Sequence, residues 1–221
     1  MRRIKRIGSV LIILAITFLG FYFYLVANYY PPILMYHHID ENIAQKNTIA
    51  VSLDIFAKQI AFIKRHNYKV VSLEKLCRMV RAQDKLPHNL LVITFDDGYK
   101  NNLAAVKILK EYNLPATIFM VINWIDKQGY LTKQDLDWTV KNSSISLGSH
   151  TLNHHYLPEL SIEGIKEEGY LCACTTNRGF MRKLDIYALR RIKITNRDLG
   201  IRLWGKLTGF YNVFRRLKPP Y

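Results

Sequence analysis

Leu90-Leu91-Val92-Ile93-Thr94-Phe95-Asp96-Asp97-Gly98-Tyr99 is an unbroken apolar run, rich in branched residues, that closes on two acids and a glycine. Such a run reads as a strand buried on both faces, as in a parallel sheet. Asp96 and Asp97 then fall at its C-terminal end, where the chain must turn. Adjacent carboxylates beside a buried strand are costly to desolvate unless something cationic receives them, so they mark a metal site or a proton-transfer site. Asp-Asp-Gly is also good turn chemistry, and a plain acidic turn is the alternative.

Downstream, Ser146-Leu147-Gly148-Ser149-His150-Thr151-Leu152-Asn153-His154-His155 holds His150 and His154 four residues apart. That spacing lets two imidazoles, on one helical turn or in a tight loop, face a single divalent ion. With one strand-end Asp they make three protein ligands and leave a position open, the pattern of a catalytic rather than a structural zinc. A histidine pair alone is ordinary surface chemistry; joined to a strand-end Asp-Asp it is far more specific.

Thr94-Phe95-Asp96-Asp97-Gly98-Tyr99 and His150-Thr151-Leu152-Asn153-His154 resemble the first two signature motifs of the polysaccharide deacetylases, the NodB-homology or carbohydrate esterase 4 family. The resemblance runs over roughly residues 31 to 160, includes Pro32-Ile33-Leu34-Met35-Tyr36-His37-His38 and Tyr68-Lys69-Val70-Val71-Ser72-Leu73, and resumes near Gly169. It implies that Asp97, His150 and His154 hold a divalent metal, most simply Zn2+, and that Asp96 is the general base. The implied activity is hydrolysis of N-acetyl or O-acetyl groups on an envelope or extracellular polysaccharide.

At 221 residues the chain has room for one sizeable core. Its net charge of +15 invites a nucleic-acid reading, but the excess lies at the two ends, and no nucleic-acid partner is expected. Arg2, Arg3, Lys5 and Arg6 precede Ile7 to Ala27, which carries no charged side chain and matches the ~20 residues a transmembrane helix needs. The positive-inside rule keeps the N-terminus cytoplasmic and exports everything after it, with Tyr22, Tyr24, Tyr29 and Tyr30 marking the outer interface. The rival, a cleaved signal peptide, fits less well, because the apolar run is long and no A-x-A site follows. The expected location is therefore the cell membrane, single-pass, with residues 1–30 as basic stub and anchor and the deacetylase-like domain over 31–198 outside.

Beyond Pro31-Pro32 the pattern alternates. Ile33 to Tyr36 reads as a strand, Leu53 to His66 as an amphipathic helix capped by Ser52 or Asp54, and Tyr68 to Leu73 as a strand. A helix begins at Ser72, another covers Asn101 to Tyr112, a strand covers Ala116 to Val121, and a helix capped by Thr132 covers Leu131 to Lys141. Ser144 to Gly148 then enters the histidine motif. This βα alternation predicts an α/β fold, an irregular and incomplete (β/α) barrel, with its site at the C-terminal ends of the strands. His37, His38 and Tyr99 are the candidate substrate-lining residues, a strand-end histidine held by ordinary hydrogen bonds being the alternative for the first two.

After Leu157 the family pattern breaks. The resemblance calls for a further strand that supplies an arginine and oxyanion-hole backbone, yet only Pro158 to Glu168 precedes Gly169 to Gly179, the next strand-like segment. One βα unit is expected to be missing near 158–168, and no histidine follows His155 to act as a late general acid. An inactive, membrane-tethered glycan-binding homologue is the alternative these gaps raise. Cys172 and Cys174 would share a strand face as poor disulfide partners, with Cys77 buried. Leu199, Leu203, Leu207, Phe210, Phe214 and Leu217 follow a helical period among basic residues, predicting an amphipathic C-terminal helix over 199–221 that either lies on an anionic membrane or packs on the barrel.

Overall fold

The structure is a computed structural model and describes residues 2–27, 29–41, 49–154, 162–176 and 184–213. It opens with helix α1 (Arg2–Ala27), whose Ile7–Tyr24 window has mean hydropathy 2.2 and no buried residue. Among the described residues it is the one helix long and apolar enough to cross a bilayer. Strand β1 (Ile33–Tyr36) leads into β2 (His38–Asp40), then β3 (Ala50–Ser52) and helix α2 (Leu53–Arg65). The alternation continues through β4 (Lys69–Val70), α3 (Leu73–Arg81), β5 (Leu90–Phe95), α4 (Asn102–Glu111), β6 (Ala116–Met120), α5 (Lys133–Asn142) and β7 (Ile145–Ser149). It ends with α6 (Ile162–Glu167), β8 (Cys174–Thr175), β9 (Leu189–Lys193), α7 (Ile201–Leu207) and α8 (Phe210–Val213).

Local chemistry sets several of these boundaries. Ser52 and Ser72 accept from the backbone N–H groups of Ile55 and Lys75 and so start α2 and α3. Thr132 and Asp135 form a reciprocal capping box at α5, closing two donors that the first helical turn leaves open.

Seven strands make one parallel sheet in the order β7-β6-β5-β1-β9-β8, with β4 paired to the start of β5, while β2 and β3 pair in a separate two-stranded parallel sheet. Ile33 to Tyr36 face Val92 to Phe95 in register, and the two central strands are buried throughout. Side chains of β5 alternate between two apolar layers. Leu91, Ile93 and Phe95 join the larger core with Phe56, Ile60, Val106 and Leu109; Leu90 and Val92 join Leu73, Leu76 and Cys77 on the other face. The result is the α/β half-barrel that the alternation predicts.

Three sequence expectations need correction. The segment Gly169 to Gly179 yields a strand only at Cys174–Thr175 within its described residues, so Cys172 lies outside it. The strand that flanks β1 is instead β9, whose charged residues conceal its character. The C-terminal helix is broken into α7 and α8 at Gly209, which takes φ +81°, and residues 214–221 lie outside the described residues. Lys206, expected on a solvated basic face, is buried and donates to Asp198 Oδ2 and to the Lys193 carbonyl.

Helix α1 and the residues after it meet the domain at the start of the strands. Tyr29 Oη donates to the Leu90 carbonyl at 2.9 Å, and Phe21 packs edge-on against Phe210 with centroids 5.9 Å apart. Between them lies an apolar cavity of about 290 Å³ that Phe18, Tyr68 and Trp204 also line.

A buried polar hub joins β1, α2 and the chain leading into α7. Gln59, fully buried, accepts from Tyr36 Oη at 3.1 Å and donates to the carbonyls of Thr195 (3.1 Å) and Asp198 (2.9 Å). An apolar residue there removes all three bonds from the core, with only the Thr195 carbonyl keeping a second donor, the Asp198 N–H. Gln59→Leu should therefore cost about 2–4 kcal/mol in denaturant unfolding of the detergent-solubilised chain, and a cost below about 0.5 kcal/mol would contradict this role.

Candidate functional site

Because β1, β5, β6 and β7 run parallel, their C-terminal ends open on one face, and the candidate residues all lie there. Asp97 and Gly98 take φ +70° and +69°, turning the chain sharply off β5. Aspartate tolerates this region, and a side chain at position 98 would also meet the Met120 thioether. The histidine loop is a second tight turn rather than a helical one. Thr151 and His154 are at φ +71° and +59°, unusual for a β-branched residue and a mark of locally stored strain. Backbone bonds from Ile122 N to Thr151 O (3.1 Å) and from Asn123 N to Leu152 O (3.0 Å) hold that loop against the end of β6.

Asp97, His150 and His154 converge, with one potential ligand atom from each lying within 4.8 Å of the others. His154 Nε2 is 3.1 Å and His150 Nε2 3.3 Å from the same oxygen, Asp97 Oδ1, which is buried and makes no hydrogen bond. Two imidazole nitrogens aimed at one unpaired carboxylate oxygen are mutually repulsive as neutral acceptors and become complementary around a cation. The donor set, two nitrogens and a carboxylate, fits a divalent metal with positions left open. Burial pushes the Asp97 carboxyl up, but contact with His150 and the charges of His37, His154 and His150 outweigh it and hold it below the usual carboxylate range.

Asp96 has a different partner. Arg191, from the middle of β9, grips it with both arms, Nη1 to Oδ1 at 2.5 Å and Nη2 to Oδ2 at 2.9 Å. Both side chains are almost fully buried, and the guanidinium also lies over the Phe119 ring and donates to the Thr175 carbonyl. Burial disfavours the Arg191 charge, yet the Asp96 field outweighs it and raises its pKa. The arginine that the sequence reading found missing from its expected strand thus arrives from another one.

His37 Nε2 stands 3.9 Å from Asp96 Oδ2, at the end of β1. Burial lowers its pKa, against the pull of Asp96 and Asp97, so the ring is neutral at neutral pH. His38 points to the rim, stacked on Tyr99 with centroids 3.5 Å apart. Burial and then the Asp97 carboxylate raise the Tyr99 phenol above its ordinary value, so it remains a neutral donor. All the candidate site residues therefore gather at one mouth. Sequence reading missed Arg191, hidden in a basic tail, and Trp124, whose ring lies 5.2 Å from that of His154.

The polysaccharide deacetylase family model matches residues 83–172, a window that contains both motifs. Over that window the chain is similar to the polysaccharide deacetylases. YxkH of Bacillus subtilis (strain 168), assigned by name to the polysaccharide deacetylases, is 32% identical over 124 residues, 56% of this chain and 43% of that protein. The poly-beta-1,6-N-acetyl-D-glucosamine N-deacetylase of Escherichia coli (strain K12) is 25% identical over 139 residues, 56% of this chain and 21% of that one. The chain thus spans less than half the length of these curated relatives. Among solved structures, the deacetylase PplD of Streptococcus pyogenes in complex with acetate has a TM-score of 0.70 at 21% identity, covering 80% of this chain and 97% of that one. IcaB from Ammonifex degensii has a TM-score of 0.67 at 17% identity, with 82% and 97% covered. At these identities the likeness speaks to the fold.

Removing one partner of a buried, bidentate ion pair strands the other charge. Arg191→Met should destabilise the chain by about 3–5 kcal/mol, and adding Asp96→Asn should recover part of that loss. Additive costs of the two substitutions in denaturant unfolding would show that the pair is not coupled.

Proposed function

We propose that this chain is a membrane-held, metal-dependent hydrolase that removes acetyl groups, N-linked first and O-linked as the variant chemistry, from sugars of an envelope or extracellular polysaccharide. The observation that carries the reading is the division of two adjacent carboxylates between two different sets of partners. Asp96 is locked to Arg191, and Asp97 is aimed with His150 and His154 at a common point. The names of the relatives, poly-beta-1,6-N-acetyl-D-glucosamine N-deacetylases among them, support N-acetylglucosamine polymers as the substrate class.

Asp97, His150 and His154 would hold the ion, with Zn2+ the best match to two imidazoles and one carboxylate. When bound, it supplies Lewis-acid polarisation of the acyl carbonyl and of water. Asp96 accepts the proton of the attacking water. Its Oδ2 faces the triad, 4.0 Å from His150 Nε2, while Arg191 fixes the carboxylate plane. Neutral His37 lines the same face and can hydrogen-bond the acyl group or the departing amine without bringing a competing charge. The Arg191 pair favours the active reading over a silent glycan binder, since a protein that only held sugar has no need of an oriented, buried base.

The topology fits an exported domain. Four basic residues open α1 ahead of its apolar window, so its N-terminus stays cytoplasmic and the remainder lies outside. Because α1 meets the start of β5 and the triad follows its end, the site opens away from the bilayer. Six residues of strand put it roughly 20 Å from the anchor's landing point. That height suits a polymer in the wall or outside the cell.

Acetate release from N-acetylglucosamine oligomers by the full chain in detergent, measured beside bound metal, tests these roles. Asp96→Asn should keep one metal per chain and lose about 100 to 10,000-fold in rate. Asp97→Ala should lose metal and rate together. Equal metal loss in the two variants would overturn the assignment.

A further inference from the structure

The three cysteines of the chain meet in one place, away from the triad. Cys77 is fully buried on α3 in the apolar layer of Leu90 and Val92, and Cys172 and Cys174 pack against the same layer from β8 and the chain just before it. Two observations make Cys172 the neighbour of Cys77. Arg81 follows Cys77 by one helical turn and so shares its face of α3, and its Nη2 donates to the Leu171 carbonyl and to Tyr187 Oη, both at 2.8 Å. That grip brings the backbone beside Cys172 against the face that carries Cys77. The Cys172 thiol then hydrogen-bonds to Cys77 itself.

Cys174 has other surroundings. Burial raises its thiol while the Arg191 charge opposes the rise, which sets it beside the Arg191–Asp96 pair. Two residues apart on extended chain, Cys172 and Cys174 are poor partners for each other. The segment between them is held in place by its backbone, Ala173 N donating to Ile186 O at 2.9 Å and Leu189 N to Ala173 O at 3.0 Å. It leads directly to the Thr175 carbonyl that accepts from Arg191 Nε. A covalent tie from α3 to Cys172 would therefore secure the strand pair that presents Arg191 to Asp96.

We infer that Cys77 and Cys172 are joined by a disulfide in the folded domain, with Cys174 left as a buried thiol. The inference rests on the reading of this domain as exported, since outside the cytoplasm thiols meet oxidants and disulfides persist. The oxidant is another disulfide, on a protein or a small thiol compound. One cysteine attacks it as thiolate and releases one oxidant thiol, and the second cysteine displaces the other from the mixed disulfide. One S–S bond forms in the chain and one breaks in the oxidant, whose two thiols carry away the two electrons and two protons that the cysteines lose. Contact with Cys77, then burial, raises the Cys172 thiol above its ordinary value, so exchange is slow once the fold is complete. The bond forms while the chain folds and is shielded afterwards. It closes a long loop that runs from α3 through β5 and β7 and contains both motifs, the case in which a cross-link restricts the unfolded chain most.

The test reads the bond and its effect on stability, so it does not depend on turnover. Full chain purified from membranes in detergent is denatured with N-ethylmaleimide present, digested and mapped by mass spectrometry without reductant. A second portion is first reduced in urea and returned to detergent buffer containing oxidised glutathione. In both, Cys77 should be linked to Cys172 and Cys174 should be alkylated. Reduction should lower the thermal midpoint of the parent and of Cys174→Ala by about 5–15 °C, and that of Cys77→Ala and Cys172→Ala by less than about 2 °C. Free Cys77 and Cys172 in the glutathione-treated portion, a link through Cys174, or the full effect of reductant on Cys172→Ala would each overturn the pairing. A bond in the glutathione-treated portion with free thiols in the chain taken from membranes would leave the pairing standing and remove the exported location instead.

Discussion

Two ionised carboxylates cannot sit side by side at the end of a buried strand without separate cationic partners, and the structure is arranged around that constraint. Asp96 receives a guanidinium from β9, and Asp97 receives a pair of imidazole nitrogens that leave its buried oxygen without a hydrogen bond. The first pairing is complete within the protein. The second leaves a buried carboxylate oxygen facing two imidazole nitrogens. Adjacent and chemically identical side chains thereby acquire different settings, one clamped by a guanidinium, the other turned with two imidazoles to a common point.

Everything else at the mouth follows from parallel strands that end on one face. β5 supplies the carboxylates, β7 runs into the histidine loop, β1 supplies His37, and β9 brings Arg191 beside them. The loops that carry these groups are strained at Asp97, Thr151 and His154 and are stitched together by backbone bonds from 122 and 123. At the other end of the same strands Phe21 of α1 packs on Phe210, and Tyr29 bonds the Leu90 carbonyl. Helix α1 and the candidate site thus lie at opposite ends of one sheet.

How much of this could be read in advance depended on the range of the interaction. The Leu90–Gly98 run and the His150/His154 spacing are local signals, a buried strand closed by a turn and two imidazoles on one loop, and both appear where expected. The caps at Ser52, Ser72 and Thr132 are local as well. Arg191 was not legible, because its partner is 95 residues away and its neighbours Arg190 and Lys193 make β9 look like solvated tail. The helical period from Leu199 was followed too far. It does not register that Gly209 adopts a left-handed conformation, nor that Lys206 turns inward to Asp198. Trp124 was equally hidden, since it approaches His154 only after two loops are folded against each other.

The central claim is that the convergent Asp97, His150 and His154 side chains exist to hold a cation on which hydrolysis depends. Its most direct test is acetate release from N-acetylglucosamine oligomers by the full chain as purified, after exhaustive chelation, and after return of zinc. The account predicts that chelation abolishes release and that one equivalent of zinc per chain restores it. Undiminished release from chelated, metal-free protein would contradict it.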